Sequence, residues 1–147
     1  MYLPSKNGWI MMSDLAEAAL RIILNNYSNP QFNVNNLAEK MGKSTSFLRE
    51  VVYAAYGMGL HELIETIRLE QAIKLLGANG EIIDLTRIKT GYAYSKTFRA
   101  AFKKRLNLTP QECKHKLAQA ENKRSQMERL VKALWENAAK TAVDFNR

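Results

Sequence analysis

A single cysteine, Cys113, occurs among the 147 residues, so no disulfide can form within the chain. The thiol is expected to pack as a small apolar group, which suits a reducing compartment. Only two histidines are present, His61 and His115. Cys113 and His115 stand two apart and point to different faces of any helix, so no metal site is expected. No glycine-rich loop is placed to cradle phosphate; Gly57 and Gly59 read as turn residues. Neither catalysis nor a cofactor finds support. No apolar run approaches the roughly eighteen residues of a membrane span. Trp9 to Met12 is too short for a secretory core. No membrane partner is expected, and the expected location is the cytoplasm. Proline and glycine are scarce, which favours helices throughout.

Positive charge is plentiful and unevenly spread. The formal net charge is +8 and the pI about 9.7, values that suit a polyanionic partner. Met1 to Gly80 is balanced, whereas Glu81 to Lys116 carries most of the excess and the tail from Leu117 onwards a little more.

The charged region is also the most patterned. Phe98 and Phe102 are spaced i, i+4 and share one helix face, while Lys96, Arg99 and Lys103 fall away from it. One face suits a core and the other suits phosphate. Lys103-Lys104-Arg105 extends the basic run. Downstream, Thr109 suits an N-cap, Pro110 the first helical position, and Glu112 a capping box back to Thr109. Upstream, Gly91 stands where a tight inter-helix turn needs positive φ. Basic helix faces are more often merely solvated, so these residues alone favour DNA only modestly.

A second copy of the layout strengthens the DNA reading. Leu37-Ala38, Gly42, Leu48, Val52 and Gly57 repeat it at an offset of about fifty residues, with Leu48 and Val52 in place of Phe98 and Phe102 and Gly57 in place of Asn107. Two copies are too few for a solenoid, so two helix-turn-helix units joined by a connector is the simpler arrangement. Leu63, Ile64, Ile67, Ala72, Leu75 and Leu76 give that connector, His61 to Leu76, a broad apolar stripe.

With Arg68-Leu69, Ala72 and Leu75-Leu76 in the connector, then Gly91-Tyr92, Phe98, Phe102-Lys103-Lys104 and Thr109-Pro110-Gln111-Glu112, the chain resembles the DNA-binding domain of the AraC/XylS family of bacterial transcription regulators. The likeness runs roughly from Ser13 to Lys116. It implies an all-α fold of seven helices, in which two helix-turn-helix subdomains held by a long connector helix each insert a recognition helix into the major groove. Three departures stand out. Thr86-Arg87 replaces the family's Ile-Ala pair, with Leu85 and Ile88 as the nearest apolar residues, so the second scaffold helix is expected to be shifted or rotated. Val52, Tyr53 and Ala54 replace aromatic and basic residues in the first unit, which should weaken its grip on phosphate. Cys113 and Lys114 replace the closing tyrosine and arginine.

Helix geometry selects the candidate DNA contacts. In the first unit these are Ser44, which also caps its helix, and Ser46, Arg49 and Glu50 near the helix start, with Arg49 suited to guanine O6 and N7. Glu50 either accepts from cytosine N4 or pairs with a nearby cation, the latter slightly favoured. In the second unit they are Ser95, Lys96, Thr97 and Arg99 towards bases, with Lys103 and Lys104 towards phosphates. The family commonly has a basic residue where Ala100 stands, and here Arg99 precedes it.

Caps and breakers give the boundaries: a leader over 1–12, a first subdomain over 13–59, a connector over 60–78, a second subdomain over 79–116 and a helical extension over 117–147. Ser13 or Asp14 should cap a first helix reaching about Asn26 with Leu15, Ala19, Ile22 and Ile23 inward; Val34 to Met41 is the first scaffold helix, and Ser44 to about Tyr56 the first recognition helix. In the tail, Met127, Leu130, Val131, Leu134, Ala138, Ala142 and Phe145 recur at spacings of three and four beside Trp135. That stripe is expected to pack on the domain sooner than on a second copy or a partner protein, with its basic residues solvated.

Only Met1 to Met12 precede the first expected helix. The resemblance therefore suggests a compact regulator governed by its abundance or by a partner, more in keeping with activation, with double-stranded DNA and RNA polymerase as partners. An alternative of another class is an adaptor or antagonist that acts on RNA polymerase or another regulator with little specific DNA affinity.

Overall fold

Several helices in this chain begin at a side-chain cap or end at a left-handed residue. The computed structural model describes the backbone of residues 2–5 and 8–145, and side chains from Met11 to Ala138 apart from Asn79. Eight helices are present among the described residues: α1 Met12–Asn26, α2 Val34–Met41, α3 Thr45–Tyr56, α4 Leu60–Asn79, α5 Ile83–Lys89, α6 Ser95–Leu106, α7 Pro110–Gln119 and α8 Lys123–Phe145. The expected leader carries a short antiparallel hairpin, β1 Tyr2–Ser5 and β2 Gly8–Met11, with Tyr2 opposite Met11 and Ser5 opposite Gly8. Apart from that hairpin the fold is all-α, as expected.

The caps follow the sequence closely. Asn33 and Asn36 form a reciprocal capping box at the start of α2. The Ser44 hydroxyl accepts the Phe47 N–H at 3.1 Å and opens α3. At α7 the Thr109 hydroxyl accepts the Glu112 N–H at 3.1 Å while the Glu112 carboxylate accepts the Thr109 N–H at 3.0 Å. The exception is α1. It begins two or three residues earlier than expected, behind Met11, so Ser13 and Asp14 lie within its first turn and neither side chain caps it.

Two cores share one connector. The first gathers Ala19 and Ile23 of α1, Leu37 of α2, Leu48 and Val52 of α3 and Leu60, Leu63, Ile64 and Ile67 of α4. The second gathers Leu69, Ala72, Ile73 and Leu76 of α4 with Phe98, Ala101 and Phe102 of α6 and Cys113 and Leu117 of α7. The N-terminal half of α4 thus serves one unit and its C-terminal half the other. Burying a side chain such as Leu48 or Phe102 contributes about 1.5–3 kcal/mol.

The tail helix α8 packs on the same body. Leu130 and Leu134 are buried in the second core, and Ala138 in the first. Ala142 and Phe145 of the expected stripe lie outside the residues whose side chains are described. Close approach of α8 explains a glycine inside α4: a Cβ on Gly77 would stand 2.7 Å from the Met127 sulfur and 3.3 Å from Leu117 Cδ1. An alanine there would have better helix propensity but would require the flexible Met127 side chain to shift.

In the second scaffold helix Thr86, five residues before Gly91, takes the buried place that Leu37, five residues before Gly42, takes in α2. The helix keeps its register, and the expected shift or rotation is not seen. Thr86 faces the core, fully buried, and its hydroxyl has no hydrogen-bond partner among the described residues. Leu85 and Ile88 face solvent, as does Ile82 just before the helix. Arg87 earns its place by donating from Nε to Asp84 at 2.9 Å and from Nη1 to the carbonyls of Tyr92 and Ala93, both at 2.8 Å. It thereby fixes the turn that leads into α6.

Candidate nucleic-acid interface

Two recognition helices, α3 and α6, present matching faces. Leu48, Val51 and Val52 are buried in α3, and Phe98, Ala101 and Phe102 in α6. Both helices end in a left-handed residue, Gly57 at φ 69° and Asn107 at φ 57°. Asn tolerates that conformation better than other residues with a Cβ. The two helices therefore superpose in register, residue for residue, at the offset read from the sequence.

Every residue selected from the sequence lies on an exposed face. Ser44, Ser46, Arg49 and Glu50 are exposed on α3 or at its cap, and Ser95, Lys96, Thr97, Arg99, Lys103 and Lys104 on α6. Ser44 spends its hydroxyl on the Phe47 N–H, so its remaining lone pair and proton face outward. Glu50 forms no ion pair among the described residues, contrary to the slight preference for a paired carboxylate. Lys103 reaches back to the Asn107 carbonyl at 3.5 Å, a weak contact that leaves its charge in solvent.

The angular order around α6 refines these roles. Measured at 100° per residue from the centre of the buried set Phe98, Ala101, Phe102 and Arg105, Lys96, Ala100 and Lys103 lie at the centre of the exposed face. Ser95 and Arg99 lie on one flank, where they line a groove with Asp84, Arg87, Thr109 and Lys114. Thr97 lies on the other, lining a cleft with Tyr94, Tyr92, Glu65, Arg68 and His61. Asp84 is held below the usual carboxylate range by its hydrogen bond and ion pair with Arg87, with a smaller contribution from Arg99.

Arg105 corrects the reading of the basic run. It is 1% exposed, and its Nη1 donates to Glu65 Oε1 at 2.7 Å while Nη2 donates to the Thr66 hydroxyl and to the Leu134 carbonyl. It lies on the Phe98–Phe102 side of α6, seven residues after Phe98, and so cannot join the phosphate-facing cations. That angular position was available from the sequence; the signal was masked by its two lysine neighbours.

Sequence reasoning also missed the tie between units. Arg68 of α4 donates from Nε to the Tyr27 carbonyl at 3.0 Å and from Nη2 to those of Asn29 and Phe32, each at 3.1 Å. Its guanidinium lies 5.8 Å from the centre of the Tyr92 ring. Burial lowers the Arg68 pKa, the nearby Tyr92 and Glu65 partly opposing that effect. Burial also pushes the Tyr92 hydroxyl up. Gly91, at φ 87°, is packed so closely that a Cβ there would collide with the Tyr27 carbonyl and sit 2.9 Å from Arg68 Nε. Glycine is required at that point by conformation and by space alike.

Two helix-turn-helix units with exposed recognition helices, the second strongly cationic, define a DNA-binding domain. Residues 37–116 match the family model described as helix-turn-helix domain, of AraC type, and the chain belongs to the AraC/XylS family of DNA-binding transcription regulators. It is 32% identical over 100 residues to an uncharacterized HTH-type transcriptional regulator in the cgkA 5′ region of Pseudoalteromonas carrageenovora, covering 68% of this chain and 58% of that protein. It is 29% identical over 105 residues to histidine kinase P4 of Formosa agariphila, covering 71% of this chain and 8% of the kinase. The chain thus spans less than two thirds of either curated relative. Among solved structures, the C-terminal domain of AraT, a response regulator from Geobacillus stearothermophilus, shares the fold with a TM-score of 0.67 at 23% identity, over 73% of this chain and 88% of that one. Family and fold are those of DNA-binding regulators rather than enzymes. Among the described residues no helix is long and apolar enough to cross a membrane.

Proposed function

We propose that the protein reads double-stranded DNA sequence-specifically by placing α3 and α6 in successive major grooves about 34 Å apart on one face of the duplex. Ser46, Arg49 and Glu50 read bases in one half-site. Lys96 and Arg99 read them in the other, with Ser95 and Thr97 at the helix start. Lys103 and Lys104 hold phosphates, and the Ser44 cap sits at the backbone. The observation that carries this reading is the exposed face of α6, which bears Lys96, Arg99, Lys103 and Lys104 and no carboxylate. The protein acts in the cytoplasm on the nucleoid as a transcription activator, with RNA polymerase as its protein partner.

In vitro selection from random duplexes with the purified chain, followed by salt titration of the winner against scrambled DNA, tests it. The expected result is a two-block motif with block centres about one helical turn apart and a steep salt slope. The exposed Ile82, Leu85 and Ile88 on one side of α5 favour a second reading, an adaptor that docks on RNA polymerase or another regulator. Absence of enrichment over scrambled DNA would put that reading first.

A further inference from the structure

The tail helix α8 lies beyond the matched residues 37–116 and touches both units at once. On the first unit, the Trp135 ring meets Tyr56 at the end of α3 edge to face, centroids 6.4 Å apart at 61°, and Ala138 is fully buried in that core. On the connector, the Trp135 indole N–H donates to Glu70 Oε1 at 3.3 Å. On the second unit, Leu130 and Leu134 are buried with Phe98 and Phe102, the Leu134 carbonyl accepts from Arg105 at 3.2 Å, and the Asn137 amide donates to the Arg105 carbonyl at 3.0 Å. Consecutive turns of one rigid helix therefore grip the C-terminal ends of both recognition helices. Trp135 holds the end of α3, and Leu134 with Asn137 holds the end of α6.

We propose that α8 is an intramolecular clamp that fixes the placement of α3 relative to α6, and so sets the half-site spacing the protein accepts, with Trp135 and Asn137 as positioning residues. Neither residue faces the DNA side of its neighbour, since each contacts the recognition helix at its C-terminal end or on its buried flank. The base preferences of either half-site are therefore independent of the clamp. What depends on it is how far one helix can move when the other is seated. A single inserted base pair shifts the second half-site by about 3.4 Å and rotates it by roughly 35°, a displacement that only a loosened pair of units absorbs. In a rigid pair the second contact is made at high effective concentration at one spacing and lost at the next.

This inference rests on the two-groove reading. The test uses the full chain with duplexes carrying both selected half-sites separated by the optimal spacer, or by spacers one and two base pairs longer and shorter. The wild type is expected to bind the optimal spacing sharply. Trp135→Ala is expected to lower the ratio of affinities between optimal and off-by-one spacing by at least about threefold, with each half-site's base preferences unchanged. Trp135→Phe, which keeps a ring against Tyr56, should restore most of the discrimination. In free protein, distance distributions between spin labels on Ala55→Cys of α3 and Ala100→Cys of α6 should be narrow in the wild-type background and broad with Trp135→Ala. Should Trp135→Ala fail to fold, Asn137→Ala gives both readouts without removing apolar surface. A folded variant with wild-type spacing discrimination and an unbroadened distance distribution overturns the clamp while leaving the two-groove reading intact. A wild type that enriches only one block overturns the two-groove reading and the clamp with it.

Discussion

α3 and α6 share a backbone and differ in nearly everything that backbone displays. At matching positions α3 offers Ser46, Arg49, Glu50, Tyr53 and Ala54 where α6 offers Lys96, Arg99, Ala100, Lys103 and Lys104. One exposed face is electrically balanced, the other wholly cationic. The two helices share the buried line and the left-handed stop and differ in what they display. Under the proposed two-groove reading, the second unit would supply most of the attraction to any duplex, and the first would bind with little electrostatic help. The same contrast extends inward. Ala55 is exposed on α3, whereas its counterpart Arg105 is buried and ion-paired.

That inward contrast gives the largest expected effect. Arg105→Ala strands Glu65 and removes a hydrogen bond to α8, and should destabilise the fold by about 3–5 kcal/mol in denaturant titration, whereas Ala55→Ser should change little. A loss below about 1 kcal/mol would mean that the ion pair is no anchor. Next come the readers. Arg49→Ala and Arg99→Ala should each cost about 1–3 kcal/mol on the selected site and much less on random DNA, while Lys103→Ala weakens binding to all sequences and reduces the salt slope by about 1. Equal losses on specific and random duplexes would remove the arginines as base readers.

Smaller still is the exchange of caps. Ser44→Ala should cost about 1 kcal/mol, and Tyr94→Ser, at the start of α6 where the cap residue has no side-chain bond, should gain a few tenths of that. Thermal melts of the two variants should shift in opposite directions.

The smallest effect is a pH dependence confined to the second unit. The Thr109 backbone and side-chain hydrogen bonds hold the Glu112 carboxyl below its ordinary value. Its contribution is complete above the unfolded pKa and is lost as pH falls through the lower folded one. Thr109→Ala should remove only the side-chain part of that acid sensitivity, since the backbone N–H at position 109 remains, measured as the slope of stability against pH below the ordinary carboxylate value. The first unit has Gly59 at the matching cap and no such reciprocal pair.

Much of this architecture was legible in the chain because its signals are local. Ser44, Thr109 with Glu112, Gly57 and Asn107 fix helix ends through contacts within a few residues, and the i, i+4 pairs Leu48–Val52 and Phe98–Phe102 fix the buried lines. What was not legible depends on distant partners. Arg68 finds carbonyls about forty residues away, and no local pattern marks a cation as a backbone tie. Arg87 is claimed by the Tyr92 and Ala93 carbonyls, which no local pattern announces, while Leu85 and Ile88 are left outside. The α1 cap was misread since Met11 belongs to a strand that runs directly into the helix. The candidate DNA contacts were legible as a face, but the flank position of Arg99 beside Asp84 emerges only once α5 is in place.

The buried thiol of Cys113 also gives the molecule an internal clock. Burial pushes that thiol up to about 12, so at neutral pH it is both shielded and un-ionised, and a thiol reagent can reach it only when the second core opens. Its rate of modification therefore counts openings of the DNA-gripping unit alone. Set beside whole-chain unfolding, that rate tells whether the two halves breathe separately or as one.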